Sequence, residues 1–284
     1  MHRRTFVHTL GAALVGPAVA CAMPRAGAAT SRRLSRVGLQ LYTLRDAARV
    51  NLEQTLAEIA AIGYKDVELL MSMNNFNTPP VQVRAMLDRH GLRAPSTHIG
   101  ENNLDQLDRA ADEARILGHE YLILANLPDD ARKSLDGFTS WADKLNRAGE
   151  AVRKHDLWLG FHDEAPDFVA FDGKVGYDAL VERLDPNLVR LQLDVGNAAE
   201  GGRDPMDLMN RYGNRYWAFH IKDVPAMKAE HDTDLGKGVI DLRALLARIS
   251  DIDDKLVYVE QESYPGAPID SVRRDYEYIS TLRF

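Results

Sequence analysis

Four short apolar runs in this sequence end in residues that bind hard cations. The run 158–161 leads into His162-Asp163-Glu164, and Leu191-Gln192-Leu193 ends in Asp194. Trp217-Ala218-Phe219 ends in His220, with Ile221-Lys222-Asp223 beyond it, and Val257-Tyr258-Val259 ends in Glu260-Gln261-Glu262. A short apolar run that stops at a polar residue reads as a buried strand whose tip emerges at the edge of a sheet. Asp194, His220 and Glu260 together offer a mixed oxygen and nitrogen donor set, suited to Mn, Co, Zn, Mg or Fe as the divalent ion. A fourth donor should come from the first run. There His162 and Glu164 stand two apart and point the same way in an extended chain, so both are candidates. Glu262 has the same relation to Glu260. Taken singly, an aspartate at a strand end is more often a helix cap, and a histidine a satisfied polar group. Four such residues on successive strands point instead to a single metal site.

The elements that must position these residues alternate along the chain. Strands are expected at 37–42, 66–70, 94–98, 121–125, 158–162, 189–194, 216–221 and 256–260. Helices are expected at 52–62, 80–90, 104–117, 138–155, 177–184, 205–212, 242–249 and 272–282. Glycines close several helices, at Gly63, Gly91 and Gly118, so the returns to the next strand are short. The strand-to-helix connections are longer and more polar. Eight such units read as an α/β fold, a (β/α)8 TIM barrel in one domain over 36–284, with its active face at the C-terminal ends of the strands. A doubly wound open sheet is the structural alternative, but no glycine-rich dinucleotide or phosphate loop follows the first strand. The segment 226–237 reads as a mobile loop over the barrel mouth, with His231 within possible reach of a substrate. Trp217, Tyr42 and Phe161 read as barrel packing.

Residues 1–30 read as an export signal rather than fold. Arg3-Arg4 precede an apolar stretch rich in alanine and glycine, and Ala26-Gly27-Ala28 offers a small-residue cleavage site. The apolar part is too short for a comfortable membrane span. Twin-arginine export carries folded protein, so a metal could be loaded first, and the destination would be the periplasm or the exterior. Cys21 is the single cysteine and falls inside this signal. The mature chain would therefore have no thiol chemistry; lipidation at Cys21 is a minor alternative. With a net charge of -7, bulk electrostatic binding of nucleic acid is disfavoured.

Several motifs together resemble the xylose-isomerase-like barrel superfamily. They are Leu193-Asp194-Val195-Gly196-Asn197, His220-Ile221-Lys222-Asp223, Leu235-Gly236-Lys237-Gly238-Val239-Ile240-Asp241 and Val259-Glu260-Gln261-Glu262, with Gly38-Leu39-Gln40-Leu41-Tyr42 and Gly63-Tyr64-Lys65-Asp66-Val67-Glu68 upstream. Its members include sugar isomerases and epimerases, inosose and dehydroshikimate dehydratases, and enzymes acting on 3-keto-sugars. The resemblance implies that Asp194, His220 and Glu260 are metal ligands, with His162 at the place of a strand-five ligand. It also implies that His98 lines the substrate pocket. The His162-Asp163-Glu164 segment departs from the family pattern, which is often a Glu or a His-Asn-His segment.

The chemistry such a site performs follows from its parts. A divalent ion that holds a carbonyl and a neighbouring hydroxyl stabilises an enediolate, and a nearby base takes the adjacent proton. Returning the proton elsewhere isomerises or epimerises the sugar; expelling a neighbouring group eliminates it. Glu68, Lys222 and Glu262 are the candidate acid, base or polarising groups, although Lys222 could pair with Asp223 at the surface. Gln40 and Asn197 are candidate ligands of sugar hydroxyls, since amides both donate and accept. The expected protein is thus a divalent-metal-dependent sugar isomerase, epimerase or lyase acting on a sugar or 3-keto-glycoside. The alternatives are a non-catalytic sugar-binding barrel and, less favoured, an enzyme resembling abasic-site endonucleases.

Overall fold

Each apolar run becomes a parallel strand, and each amphipathic stretch becomes the helix that returns the chain to the next one. The computed structural model describes residues 31–284; the export signal expected over 1–30, Cys21 included, lies outside the described residues. The strands are β1 (Gly38–Gln40), β2 (Asp66–Leu70), β3 (Ser96–Ile99), β4 (Tyr121–Leu124), β5 (Trp158–His162), β6 (Val189–Asp194), β7 (Tyr216–Ile221) and β8 (Leu256–Val259). Each pairs in parallel with its neighbours in sequence, and β8 closes the ring on β1 through Gly38↔Tyr258 and Leu39↔Val259. The principal helices are α1 (Arg45–Ile62), α2 (Pro80–His90), α3 (Leu107–Leu117), α4 (Leu135–Arg153), α5 (Gly176–Arg183), α6 (Pro205–Tyr212), α7 (Leu242–Arg248) and α8 (Pro268–Thr281). The fold is a (β/α)8 barrel. Among the described residues, no helix is long and apolar enough to cross a membrane.

Side chains alternate across each strand. One set, including Leu39, Val67, Leu122, Leu159, Leu193 and Phe219, packs fully buried in the apolar layer that the helices cover. At about 1.5–3 kcal/mol for each such side chain, this layer supplies most of the drive to fold. The other set fills the barrel. Tyr121, Ile123 and Ala218, with Trp158, Trp217 and Leu256 packed on them, form a separate small apolar cluster there. Above it lies a polar layer in which Gln40, Glu68, Ser96, Gln192 and Tyr258 are all buried.

The boundaries depart from expectation where side chains intervene. Strand β1 stops at Gln40 because the Gln40 side chain accepts the Tyr42 N–H at 3.1 Å and caps a 3-10 turn over Leu41–Leu44. Strand β3 spans Ser96–Ile99, which leaves His98 one residue short of the end. Helix α1 begins earlier than expected, at Arg45, and bends at Asn51, where φ is -156° and ψ 94°. The helix expected over 104–117 is two pieces, Glu101–Leu104 and Leu107–Leu117. The segment 226–237, expected to be mobile, is stitched down by two aspartates. Asp223 accepts the N–H groups of Gly236 and Gly238 at 3.0 and 2.9 Å, and Asp232 accepts those of Glu262 and Ser263 at 2.6 and 3.0 Å.

A candidate metal centre and active site

The polar strand ends converge because β5, β6, β7 and β8 are adjacent in the ring. A register shift between Leu191 and Gln192 in the β6–β7 pairing brings Asp194 level with His220. Each donor is then aimed by a partner on its far side. His162 Nδ1 lies 2.8 Å from the Ala125 carbonyl, so Nδ1 donates there and Nε2 faces the cluster. Asp194 caps the short helix Val195–Glu200, with Oδ1 accepting from the N–H groups of Gly196 and Asn197 at 2.8 and 2.9 Å, which frees Oδ2. His220 Nε2 lies 2.5 Å from Glu68 Oε2, and that contact turns Nδ1 toward Asp194 and Glu260. One ligand atom from each of His162, Asp194, His220 and Glu260 lies within 4.8 Å of the other three.

Three of these atoms, His162 Nε2, Asp194 Oδ2 and His220 Nδ1, are buried without a hydrogen-bond partner, Asp194 Oδ2 having only an ion pair to Lys222 at 3.0 Å. His220 Nδ1 is 2.8 Å from Glu260 Oε2, but the approach is not aligned as a hydrogen bond. An orphaned buried polar atom costs about 1–3 kcal/mol, so three around one point mark a place built for something else. Two imidazoles and two carboxylates are a donor set that a divalent ion fits. Burial works against every charge here, and the opposite charges outweigh it. Lys222 and the two imidazoles hold Asp194 well below the usual carboxylate range, and Lys222 and His220 hold Glu260 at about 2.

The walls around the cluster carry further chemistry. Lys222 is 3% exposed, and its ammonium lies 3.0 Å from Asp194, 3.1 Å from Glu260 and 2.7 Å from Glu262. Gly196 makes this possible, since a Cβ there would stand 2.6 Å from the Lys222 Cβ. On another wall, His98 Nε2 is 2.9 Å from Gln192 Oε1. The Gln192 amide donates to both Glu68 oxygens, at 3.1 and 3.0 Å, and a carboxylate can only accept. The amide oxygen must therefore face His98, whose Nε2 carries the proton and whose Nδ1 is left as an acceptor. Burial holds the His98 imidazole down to about 4, so it is neutral at physiological pH. These groups surround an inner chamber of about 310 Å³, which opens past Glu164, Lys222 and Glu262 to an outer chamber of about 430 Å³. A larger groove of about 670 Å³, lined by Asp136, Asp178 and Arg211 on α4–α6, contains none of the cluster.

The closed parallel barrel has known counterparts. A family model described as a xylose isomerase-like TIM barrel matches residues 56–282. The chain belongs to that family. Among curated proteins it is 27% identical to an inosose dehydratase of Geobacillus kaustophilus, covering 81% of this chain and 87% of that one. It is 25% identical to an inosose dehydratase of Lacticaseibacillus casei, over 76% and 84% of the two chains. Among solved structures, a sugar phosphate isomerase/epimerase from Parabacteroides distasonis superposes with a TM-score of 0.74 at 22% identity, over 89% of this chain and 98% of the other. The IOLI protein, solved with a bound zinc atom, superposes at 0.66 with 15% identity, over 85% and 95%. At these identities the structural likenesses speak to the fold alone.

Within this member of the xylose isomerase-like family, the residues singled out from sequence fall into three places. His162, Asp194, His220 and Glu260 form the cluster. His98, Glu164, Lys222 and Glu262 line the inner chamber, and Asn197 lines the outer one. Glu164 stands apart from the ligand group: its Oε2 accepts from Asn197 at 3.3 Å, and its Oε1 is 3.8 Å from His162 Nδ1, the nitrogen that faces away from the cluster. Burial raises the Glu164 carboxyl to about 7. Glu68 and Gln40 correct the expectation. Both are 0% exposed and are tied to each other at 2.8 Å, with Ser96 also on Glu68 at 2.5 Å, so neither reaches the chamber. Glu68 lies beneath His220, 2.5 Å from its Nε2, where it can position the imidazole. Tyr42, expected to be barrel packing, lines the inner chamber and carries the Arg45 guanidinium 4.3 Å over its ring. Gln192 was missed from sequence, yet it stands two residues before Asp194 and so faces the same way.

Proposed function

We propose that this protein is a divalent-metal-dependent enzyme of the keto-sugar or keto-cyclitol class, acting as a lyase that removes water next to a carbonyl. The observation that carries this reading is the set of three orphaned atoms with Glu260 around one point, flanked by a bare His98 nitrogen and a buried lysine. The kinship with inosose dehydratases favours elimination. His162, Asp194, His220 and Glu260 would hold the ion. When bound, it supplies Lewis acidity, polarising the substrate carbonyl and offsetting the charge of an enediolate.

The chain's own groups do the rest. His98 Nδ1 takes the proton from the carbon beside the carbonyl, and the C–H electron pair moves toward the carbonyl oxygen. Gln192 and Glu68 keep the His98 proton on Nε2, so that Nδ1 stays free for this step. The Lys222 ammonium, 2.7 Å from Glu262, gives a proton to the hydroxyl on the next carbon, the C–O bond breaks, and water leaves. The products are an unsaturated ketone and water. Placing an acceptor and a donor on different walls also suits epimerisation, in which the proton returns to the opposite face of the same carbon.

The test is metal content and turnover of the purified protein, alone and reconstituted with Mn, Co, Zn, Mg or Fe, using inosose as substrate and following the enone by absorbance. About one ion per chain and ion-dependent enone formation are expected. A protein that takes up no ion would sink the reading. We also propose export through a twin-arginine signal at 1–30, with the barrel beginning near residue 36. Fractionation of cells expressing the full chain and an Arg3→Lys/Arg4→Lys variant checks it, and an unchanged distribution would refute it.

A further inference from the structure

Apart from Lys222 and Glu262, the residues of the outer chamber have no part in the chemistry just described, and it is the larger of the two. It shares Glu164, Lys222 and Glu262 with the inner chamber, so anything bound at the cluster looks directly into it. The inner chamber, at about 310 Å³, sits at the lower end of the roughly 300–1,000 Å³ range of small-molecule sites. We infer that the outer chamber is a second subsite, which takes an uncharged, hydroxyl-bearing unit attached to the reacting ring, so that the preferred substrate is a glycoside or disaccharide rather than a single ring. This inference rests on the keto-sugar reading.

The lining determines the chemistry of the guest. Glu164, Glu200, Glu230, Asp232 and Glu262 line the chamber, against the fixed cations Arg45 and Lys222. Both cations are already engaged: Lys222 by three carboxylates, and Arg45 by the Tyr42 ring and carbonyl. A phosphate or carboxylate would meet five acids against two cations, of which Lys222 is already neutralised by carboxylates, and like charges brought together in a partly desolvated site repel. A neutral polyol meets no such repulsion. Among the described residues, half-buried Glu200 and exposed His231 make no hydrogen bond or ion pair, so an acceptor and a ring nitrogen stand ready for hydroxyls. Asp232 is spent on the backbone of Glu262 and Ser263, which holds the chamber wall in place.

The test is calorimetric binding to the metal-reconstituted full-length protein, which requires no turnover. The probes are inosose, 3-keto-trehalose and a 3-keto-glucose 6-phosphate, each with wild type and with the Glu200→Ala/His231→Ala variant. Neither substituted residue belongs to the cluster or to the acid–base groups. One or two hydrogen bonds at about 1 kcal/mol each correspond to an affinity gain of roughly tenfold. We expect that gain for the disaccharide over inosose in wild type, its loss in the variant, unchanged inosose binding in both, and the phosphate bound most weakly. Inosose bound and turned over with no gain for the disaccharide would overturn the subsite and leave the proposed function standing. A phosphate bound as tightly as the neutral disaccharide would overturn the charge argument. No binding of any probe to ion-loaded protein would overturn both.

Discussion

The two ends of the barrel both hold cations, half-buried at one and buried at the other, by opposite means. At the N-terminal end the Arg190 guanidinium lies between Trp158 and Trp217, 3.5 and 3.6 Å from their ring centres, and donates to the Tyr121 hydroxyl. Lys255 covers Trp217 at 3.6 Å. No orphaned atom occurs among these residues. At the C-terminal end the Lys222 ammonium lies among Asp194, Glu260 and Glu262, and three ligand atoms beside it lack a hydrogen bond, Asp194 Oδ2 having only its ion pair to Lys222. Aromatic faces offset the desolvation of a cation without needing further partners, so the lower end is complete as a plug. Carboxylates and imidazoles carry more lone pairs than their protein neighbours occupy, so the upper end keeps donor capacity that the protein itself does not use.

The largest effect should come from removing a donor at the upper end. Asp194→Ala and His220→Ala are each expected to abolish stoichiometric metal by elemental analysis and to abolish turnover. Wild-type metal content in either variant would break the contrast. His98→Gln should keep the ion and lower kcat by about 10²–10⁴-fold; an unchanged kcat would remove His98 from the proton transfer. Glu68→Gln, beneath His220, is expected to weaken metal binding by about 10–100-fold, read by competition with a chelator. A loss as complete as that of Asp194→Ala would mean that Glu68 is itself a ligand.

At the lower end, Arg190→Ala should cost about 1–3 kcal/mol of unfolding free energy and leave metal content unchanged. Denaturant titration with metal analysis checks both halves of that statement. The smallest effect sharpens the comparison from a third place. Asp275, on α8, accepts the Leu235 N–H at 2.8 Å with one oxygen and leaves the other without a partner. Here the orphan stands alone, so it should register as a stability cost rather than a site. Burial raises the Asp275 carboxyl to about 7, from 3.8. The native state then holds a proton that the unfolded chain has released, so this contribution is intact below 3.8 and is lost as pH rises through about 7. Asp275→Asn is accordingly expected to raise Tm by roughly 2–4 °C at pH 8 and by little at pH 4. An equal shift at both values would refute the titration.

Much of this was legible in the sequence. The strands Trp158–His162, Val189–Asp194 and Tyr216–Ile221 and the helix Pro205–Tyr212 match the expected spans, because apolar runs and proline or polar stops mark them locally. The polar ends of those strands, His162, Asp194 and His220, were legible for the same reason. Three things were not. Whether His162 or Glu164 completes the ligand group depends on the Ala125 carbonyl, 37 residues away, which turns the imidazole. Gln40 and Glu68 look like strand-end chemistry in sequence, but the pairing of β1 with β2 sets Gln40 beside Glu68 in a sealed layer below the site. Asp194 stands level with His220 only through the register shift near Leu191. The alternation of side chains along a strand is local, so the sequence by itself determined which residues face into the barrel. The depth at which each one sits depends on strand stagger, which arises only when the ring closes, so the tertiary structure decided which inward residues are site and which are support.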